Sequence, residues 1–180
     1  MTKGCFYVYS TILIGIVDIE KEASWETACE QEDKMRVTYK GDYALKAVLD
    51  LALHYDAALV TSHDIARRID APVKFLEQVL LDLKKGGLVE SRRGNIGGYL
   101  LSRPPADITI GEVLRIIDGP TEPISCVNES YSKCVDIRKC VFKNIWKKVS
   151  QATSNIVDNI NFQDLVFQVN SAKEALMYSI

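Results

Sequence analysis

Three cysteines, Cys126, Cys134 and Cys140, lie within the stretch CVNESYSKCVDIRKC at the spacing C-x7-C-x5-C. A single structural zinc ion takes tight C-x2-C pairs, because two of its ligands come from one small turn. No such pair occurs in this chain. A loop of this length can instead wrap a multinuclear body, and iron–sulfur clusters prefer thiolate sulfur. The competing chemistry is a thiol switch, in which two of the three close a disulfide on oxidation. The intervening NESYSK and DIRK are polar, so the cysteines do not read as small core residues. Cys5 and Cys29 make the total five, an odd number in a poor disulfide framework, and they carry no assigned role.

The elements that position this loop are legible from periodicity and caps. GDYALKAVLDLALHY has apolar residues at helical spacing on more than one face, which predicts a largely buried helix. TSHDIARRID predicts a short helix opened by Thr61 or Ser62, with Asp64 in its first turn. Asp70-Ala71-Pro72 breaks it, and Pro72 suits the first turn of a third helix, VKFLEQVLLDLKKGG, stopped by Gly86-Gly87. Two short strands, LVESRRG and GGYLLSRP, flank the tip RGNIGG. In TIGEVLRIIDGP, Thr109 caps a helix, Glu112 closes the capping box, and Gly119-Pro120 end it. After the cysteines, Phe142, Ile145, Trp146, Val149, Ile156 and Ile160 form an amphipathic stripe. The tail FQDLVFQVNSAKEALMYSI is weaker and reads as ending in a short helix.

A helix-turn-helix followed by a basic hairpin is the pattern of a winged helix, which places its second motif helix in the major groove of duplex DNA. The candidate contacts are Lys74, Phe75 and Gln78 at the start of that helix, and Arg92 and Arg93 at the wing tip. Net charge is −2, but Val60 to Arg103 holds eight basic residues against five acidic ones. Local positive charge is what phosphate contact requires. A winged helix used for protein interaction is the alternative.

The chain has 180 residues, 47% hydrophobic and 26% charged, an ordinary globular composition able to bury a core. The apolar run Cys5–Val17 is too short for a membrane span, and no A-x-A site follows it. No nucleophile–base pair and no phosphate loop point to an enzyme. The expected organisation is an N-terminal extension over 1–34, disordered or upstream of a working start at Met35. A winged helix-turn-helix domain over 35–105 follows. A linker helix and cysteine loop then occupy 106–141, and a dimerisation helix with its tail 142–180. The fold class is mainly α with a small β-wing.

From Met35 to about Val169 the chain resembles the bacterial winged-helix regulators of the IscR/NsrR/CymR family. The resemblance rests on MRVTYKGDYALKAVLDLA, FLEQVLLDLKKGGLVESRRG, GGYLLSRP, ITIGEVLRIIDG, the three cysteines, and CVFKNIWKKV running into NINFQDLV. It implies a homodimeric, cytoplasmic transcription factor bound to a pseudo-palindromic promoter, with the stripe from Phe142 to Ile160 packed on its twin and no membrane partner. In cluster-bearing members, three cysteines at this place hold an iron–sulfur cluster, 2Fe–2S or 4Fe–4S, that senses cluster supply, nitric oxide or redox state. CymR-like members imply a cluster-free, thiol-switch or partner-controlled regulator instead. The first cysteine gap is two residues longer than the family's C-x5-C-x5-C. Lys143 stands where IscR-like members have a histidine, and a protonated amine cannot ligate. NsrR-like members take a carboxylate from the first helix of the other subunit, which implies Asp42 here. Asp42 equally suits a helix first turn on electrostatic grounds. His54 and His63 read as surface or DNA-proximal residues.

Overall fold

A computed structural model describes residues 37–55, 59–92, 94, 97–128 and 140–177, all within the unit Asp33–Ile180. Helix α1 runs Tyr39–Leu53, opened by Thr38, whose Oγ1 accepts the Gly41 N–H at 3.1 Å. Ala44, Ala47, Val48, Leu51 and Ala52 are buried, so α1 is the central post of the fold. Helices α2 (Ser62–Arg68), α3 (Val73–Lys85), α4 (Ile110–Ile117) and α6 (Phe162–Met177) all pack against it.

Local chemistry sets the helix ends. The Thr61 hydroxyl accepts the Asp64 N–H at 3.1 Å and donates to Asp64 Oδ2 at 2.7 Å, closing the start of α2. Asp70, at φ 52°, makes the reversal into α3, a left-handed geometry that Asp tolerates better than most residues. Pro72 turns out to be the cap that precedes α3, with no side-chain cap bond, and does not lie within the first turn. On α3, Leu76, Val79, Leu80 and Leu83 recur at helical spacing and are fully buried. The helix ends in a Schellman motif: Leu88 N–H donates to Leu83 O and Gly87 N–H to Lys84 O, both at 3.0 Å. Gly87 sits at φ 76°, where a side chain would be strained.

Strands β1 (Val89–Arg92) and β2 (Gly98–Leu101) pair antiparallel, with Val89 opposite Leu101 and Arg92 opposite Gly98. Val60 adds a bridge to Tyr99 through bonds of 3.1 and 2.8 Å. The wing is thus rooted on the segment that leads into α2.

After the wing, Thr109 caps α4 by accepting the Glu112 N–H at 3.3 Å. The Glu112 carboxylate pairs with Arg103. A 3-10 turn, Ser125–Val127, precedes the cysteine loop, and α5 spans Lys143–Val157 with no buried residue. The tail departs from the sequence expectation. It is one sixteen-residue helix, α6, whose first residue Phe162 is fully buried. The backbone pins it there: Phe162 N–H donates to Ile108 O at 3.0 Å, and Ile110 N–H to Ile160 O at 3.1 Å. Leu165 and Val166 pack against the same core, and Asn161 Oδ1 caps the helix through the Asp164 N–H at 2.9 Å.

Candidate functional site: the helix–wing face and the cysteine loop

Helix α3 buries one stripe and turns the other outward. Lys74 and Gln78 are exposed on the outer stripe, as are Leu81 and Lys85. Phe75 lies to one side, its ring edge-on to Tyr43 of α1 at 5.5 Å and 72°. Gln78 Nε2 approaches Asp82 at 3.4 Å. Arg92 is exposed at the end of β1, and Arg93 lies outside the described residues. An open cleft of about 640 Å³ separates the start of α2 from α3 and the wing, lined by Ser62, His63, Leu81, Lys84, Ser91 and Arg92. Lys84 spans its floor, donating to Ser91 Oγ at 2.6 Å.

Four of the eight basic residues of this segment pair with carboxylates. Arg68 is bound by Asp50 through Nε and Nη2, both at 2.7 Å, and that hydrogen bond raises its pKa further. Arg67 pairs with Asp64 at 3.0 Å, and Arg103 with Glu112. Lys85 and Lys40 converge on Asp82 at 3.1 and 2.6 Å. The bond from Lys40, then that from Lys85, lowers the Asp82 carboxyl from 3.8 to about 2. Lys74, Lys84 and Arg92 remain as exposed cations that pair with no acid among the described residues. Their positions suit phosphate or groove contact.

Cys126 sits in the 3-10 turn that packs against α5, and Cys140 lies just before α5 begins. Both are free, half-buried thiols, and Cys134 lies outside the described residues. Lys143 is the first residue of α5, and its N–H approaches Cys140 O at 3.4 Å. Asp42, in the first turn of α1, accepts from Lys46 Nζ at 2.7 Å and is half exposed, and the bond raises the Lys46 pKa. Among the described residues, no three His, Cys, Asp or Glu side chains gather as a metal site, so Asp42, Cys126 and Cys140 do not converge within this chain. His54 caps the end of α1 with Nδ1 at 2.6 Å from Asp50 O, and His63 is exposed on α2.

Two ties escaped the sequence reading. One is the Asp50–Arg68 pair; its only signal was an acid among the apolar positions of α1. The other joins α4 to α1: Asp118 accepts from Thr38 N at 3.0 Å and from Thr38 Oγ1 at 2.6 Å.

Central helix, helix-turn-helix and two-stranded wing define a winged-helix DNA-binding regulator. A family model described as "Rrf2: Iron-dependent Transcriptional regulator" matches residues 37–168. The chain belongs to this Rrf2 family of transcriptional regulators, which are not enzymes. It is 37% identical over 147 residues to an rrf2-like HTH-type transcriptional regulator of Rhodobacter capsulatus, covering 78% of this chain and 98% of that one. It is 36% identical over 132 residues to the HTH-type transcriptional regulator IscR of Escherichia coli, covering 73% and 80%. Among solved structures it is similar to CymR, the global cysteine regulator of B. subtilis, with TM-score 0.62, 27% identity and coverage of 74% and 97%. It is also similar to T. potens IscR, with TM-score 0.61, 32% identity and coverage of 76% and 90%. Among the described residues, no helix is long and apolar enough to cross a membrane.

Proposed function

We propose that this chain is a cytoplasmic, homodimeric regulator that binds promoter DNA and carries an iron–sulfur cluster on Cys126, Cys134 and Cys140. The observation that carries the reading is the pair of free thiols, Cys126 and Cys140, at the two ends of a loop set between α4 and α5. Free, half-buried thiols, one in the 3-10 turn and one just before α5, fit a thiolate-bound group, and the family description as iron-dependent supports it. Such a cluster supplies chemistry that responds to redox state, nitric oxide or cluster supply. Asp42 of the partner subunit is proposed as the remaining, oxygen ligand, a harder and weaker partner for iron than sulfur.

Lys74, Phe75 and Gln78 on α3, with Arg92 and Arg93 on the wing, are the proposed DNA contacts. The second copy covers α5. Phe142, Ile145 and Ile156 are more than half exposed there, on a helix with no buried residue. A two-fold dimer would read a pseudo-palindromic site.

Anaerobically purified protein is expected to be brown, with iron and acid-labile sulfide. Serine at Cys126, Cys134 or Cys140 should abolish the colour, and serine at Cys5 or Cys29 should not. Colourless protein with stoichiometric zinc, or none after reconstitution, would leave the second reading. That reading is a cluster-free thiol switch or partner-controlled regulator, supported by the likeness to CymR.

A further inference from the structure

The cysteine loop hangs from two roots, the end of α4 and the start of α5. Asp118 is the residue that closes α4, donating its N–H to Leu114 O at 2.8 Å, eight residues before Cys126. Its carboxylate does not face solvent alone. It accepts both the N–H and the hydroxyl of Thr38, the cap of α1. The approach is close enough that a Cβ at Gly41 would have to displace the Asp118 carboxylate. A carboxylate at a helix N-terminus is further favoured by the unsatisfied N–H groups there.

The same turn of α1 touches the DNA-reading helix on its other side. Lys40 holds Asp82 of α3 at 2.6 Å, and the Tyr43 ring meets Phe75 of α3 at 5.5 Å. The opposite end of the unit is strapped as well, because Arg115 of α4 pairs with Asp158 at the end of α5. The end of α4 therefore reaches α3 through one turn of α1 and direct contacts.

We infer that Asp118 is a positioning residue through which the state of the cysteine loop sets the register of α3, by holding or releasing Thr38 and the first turn of α1. The inference rests on the sensor reading above. A change in the loop pulls on Gly119 and Asp118. Loss of the two bonds to Thr38 frees the turn that carries Lys40 and Tyr43, and α3 shifts with it. Asp42, the proposed ligand for the other subunit's cluster, lies in that same turn, so both inputs would act on one element.

The test compares DNA affinity of cluster-loaded and cluster-free protein, using a duplex selected from a random pool by the wild type. Coupling factors between sites are typically about 5- to 150-fold. In Asp118→Asn, and independently in Gly41→Ala, the ratio of the two affinities should fall to about 1 while iron and sulfide content match the wild type. Thr38→Ser, which keeps the hydroxyl, should retain the wild-type ratio. Hydrogen exchange at the amides of residues 39–43 should depend on the loop state in wild type and not in Asp118→Asn. If both affinities drop together and the ratio survives in the two variants, Asp118 is only a structural cap and the inference fails. If the wild type takes up no iron, the cluster reading falls by itself. The two loop states are then the reduced and oxidised thiols, and the same collapse of the ratio is required.

Discussion

Arg68 grips Asp50 with two parallel hydrogen bonds of 2.7 Å, and this pair fastens the first helix of the DNA-reading motif to the central helix. Asp50 is 5% exposed, and its backbone oxygen also meets His54 Nδ1 at 2.6 Å. A buried acid on the apolar face of α1 is tolerable only with such a partner.

Arg68→Ala should therefore destabilise the protein strongly, by about 3 kcal/mol, the low end for an orphaned buried charge because Arg68 is partly exposed. Asp50→Leu combined with Arg68→Leu should recover most of that loss. Urea denaturation of the wild type, Arg68→Ala, Arg68→Leu, Asp50→Leu and the double variant measures both, and a double variant whose loss equals the sum of the two leucine singles would contradict the pairing argument.

Acid should weaken the α1–α3 contact in a defined window. Asp82 titrates at about 2 in the folded chain against 3.8 ordinarily, so its folded pKa lies below its unfolded one. The stabilisation is then fully present above about pH 4 and is lost as pH falls toward about 2. Lys40→Met should move the Asp82 titration upward and flatten that part of the acid limb. NMR titration of the carboxyl, with urea midpoints near about pH 5 and about pH 3, checks the sign.

On DNA, Lys74→Ala, Arg92→Ala and Arg93→Ala should each weaken binding across sequences. Each should lower the salt slope by about 0.9 for every phosphate that the variant no longer neutralises. Gln78→Ala should instead change base preference, as a side chain able to reach a base edge would. Binding isotherms at several salt concentrations separate the two behaviours. Wild-type slopes in all the charge variants would rule out this docking face.

Phe162→Ala should cost about 3–5 kcal/mol, the range for removing a buried aromatic from a packed core. Phe167→Ala on the exposed face of the same helix should cost little. Thermal unfolding of the two variants provides the comparison.

What could be read in advance was local. Thr61, Thr109 and Gly86-Gly87 mark helix ends through bonds to neighbours a few residues away, so their roles are written in the sequence itself. The recognition helix and wing were legible for the same reason. Asp50 and Arg68 are 18 residues apart, and Thr38 and Asp118 are 80 apart, so only the folded chain brings them together. Glu112 looked like the acid of a capping box, yet tertiary contact gives its carboxylate to Arg103. The α6 tail looked weak because its packing face is set by one large anchor, Phe162, and two half-buried neighbours more than by a strong stripe. The local charge count overstated the electrostatic footprint because it cannot tell a solvated arginine from one clasped by a carboxylate.

The seat of Phe162 also has a consequence for how the protein is made. The ribosome delivers α1, α2, α3 and the wing well before residue 162 leaves the exit tunnel, yet the flank of α1 that α6 covers belongs to the same core. Until then the nascent chain holds a nearly finished reading head with one apolar side uncovered, the kind of surface that draws chaperones or neighbouring chains. Helix α6 thus closes a domain whose other helices and wing are translated before it. A messenger cut short before that point would yield an exposed fragment for proteolysis, and not a shortened regulator competing for the same promoters.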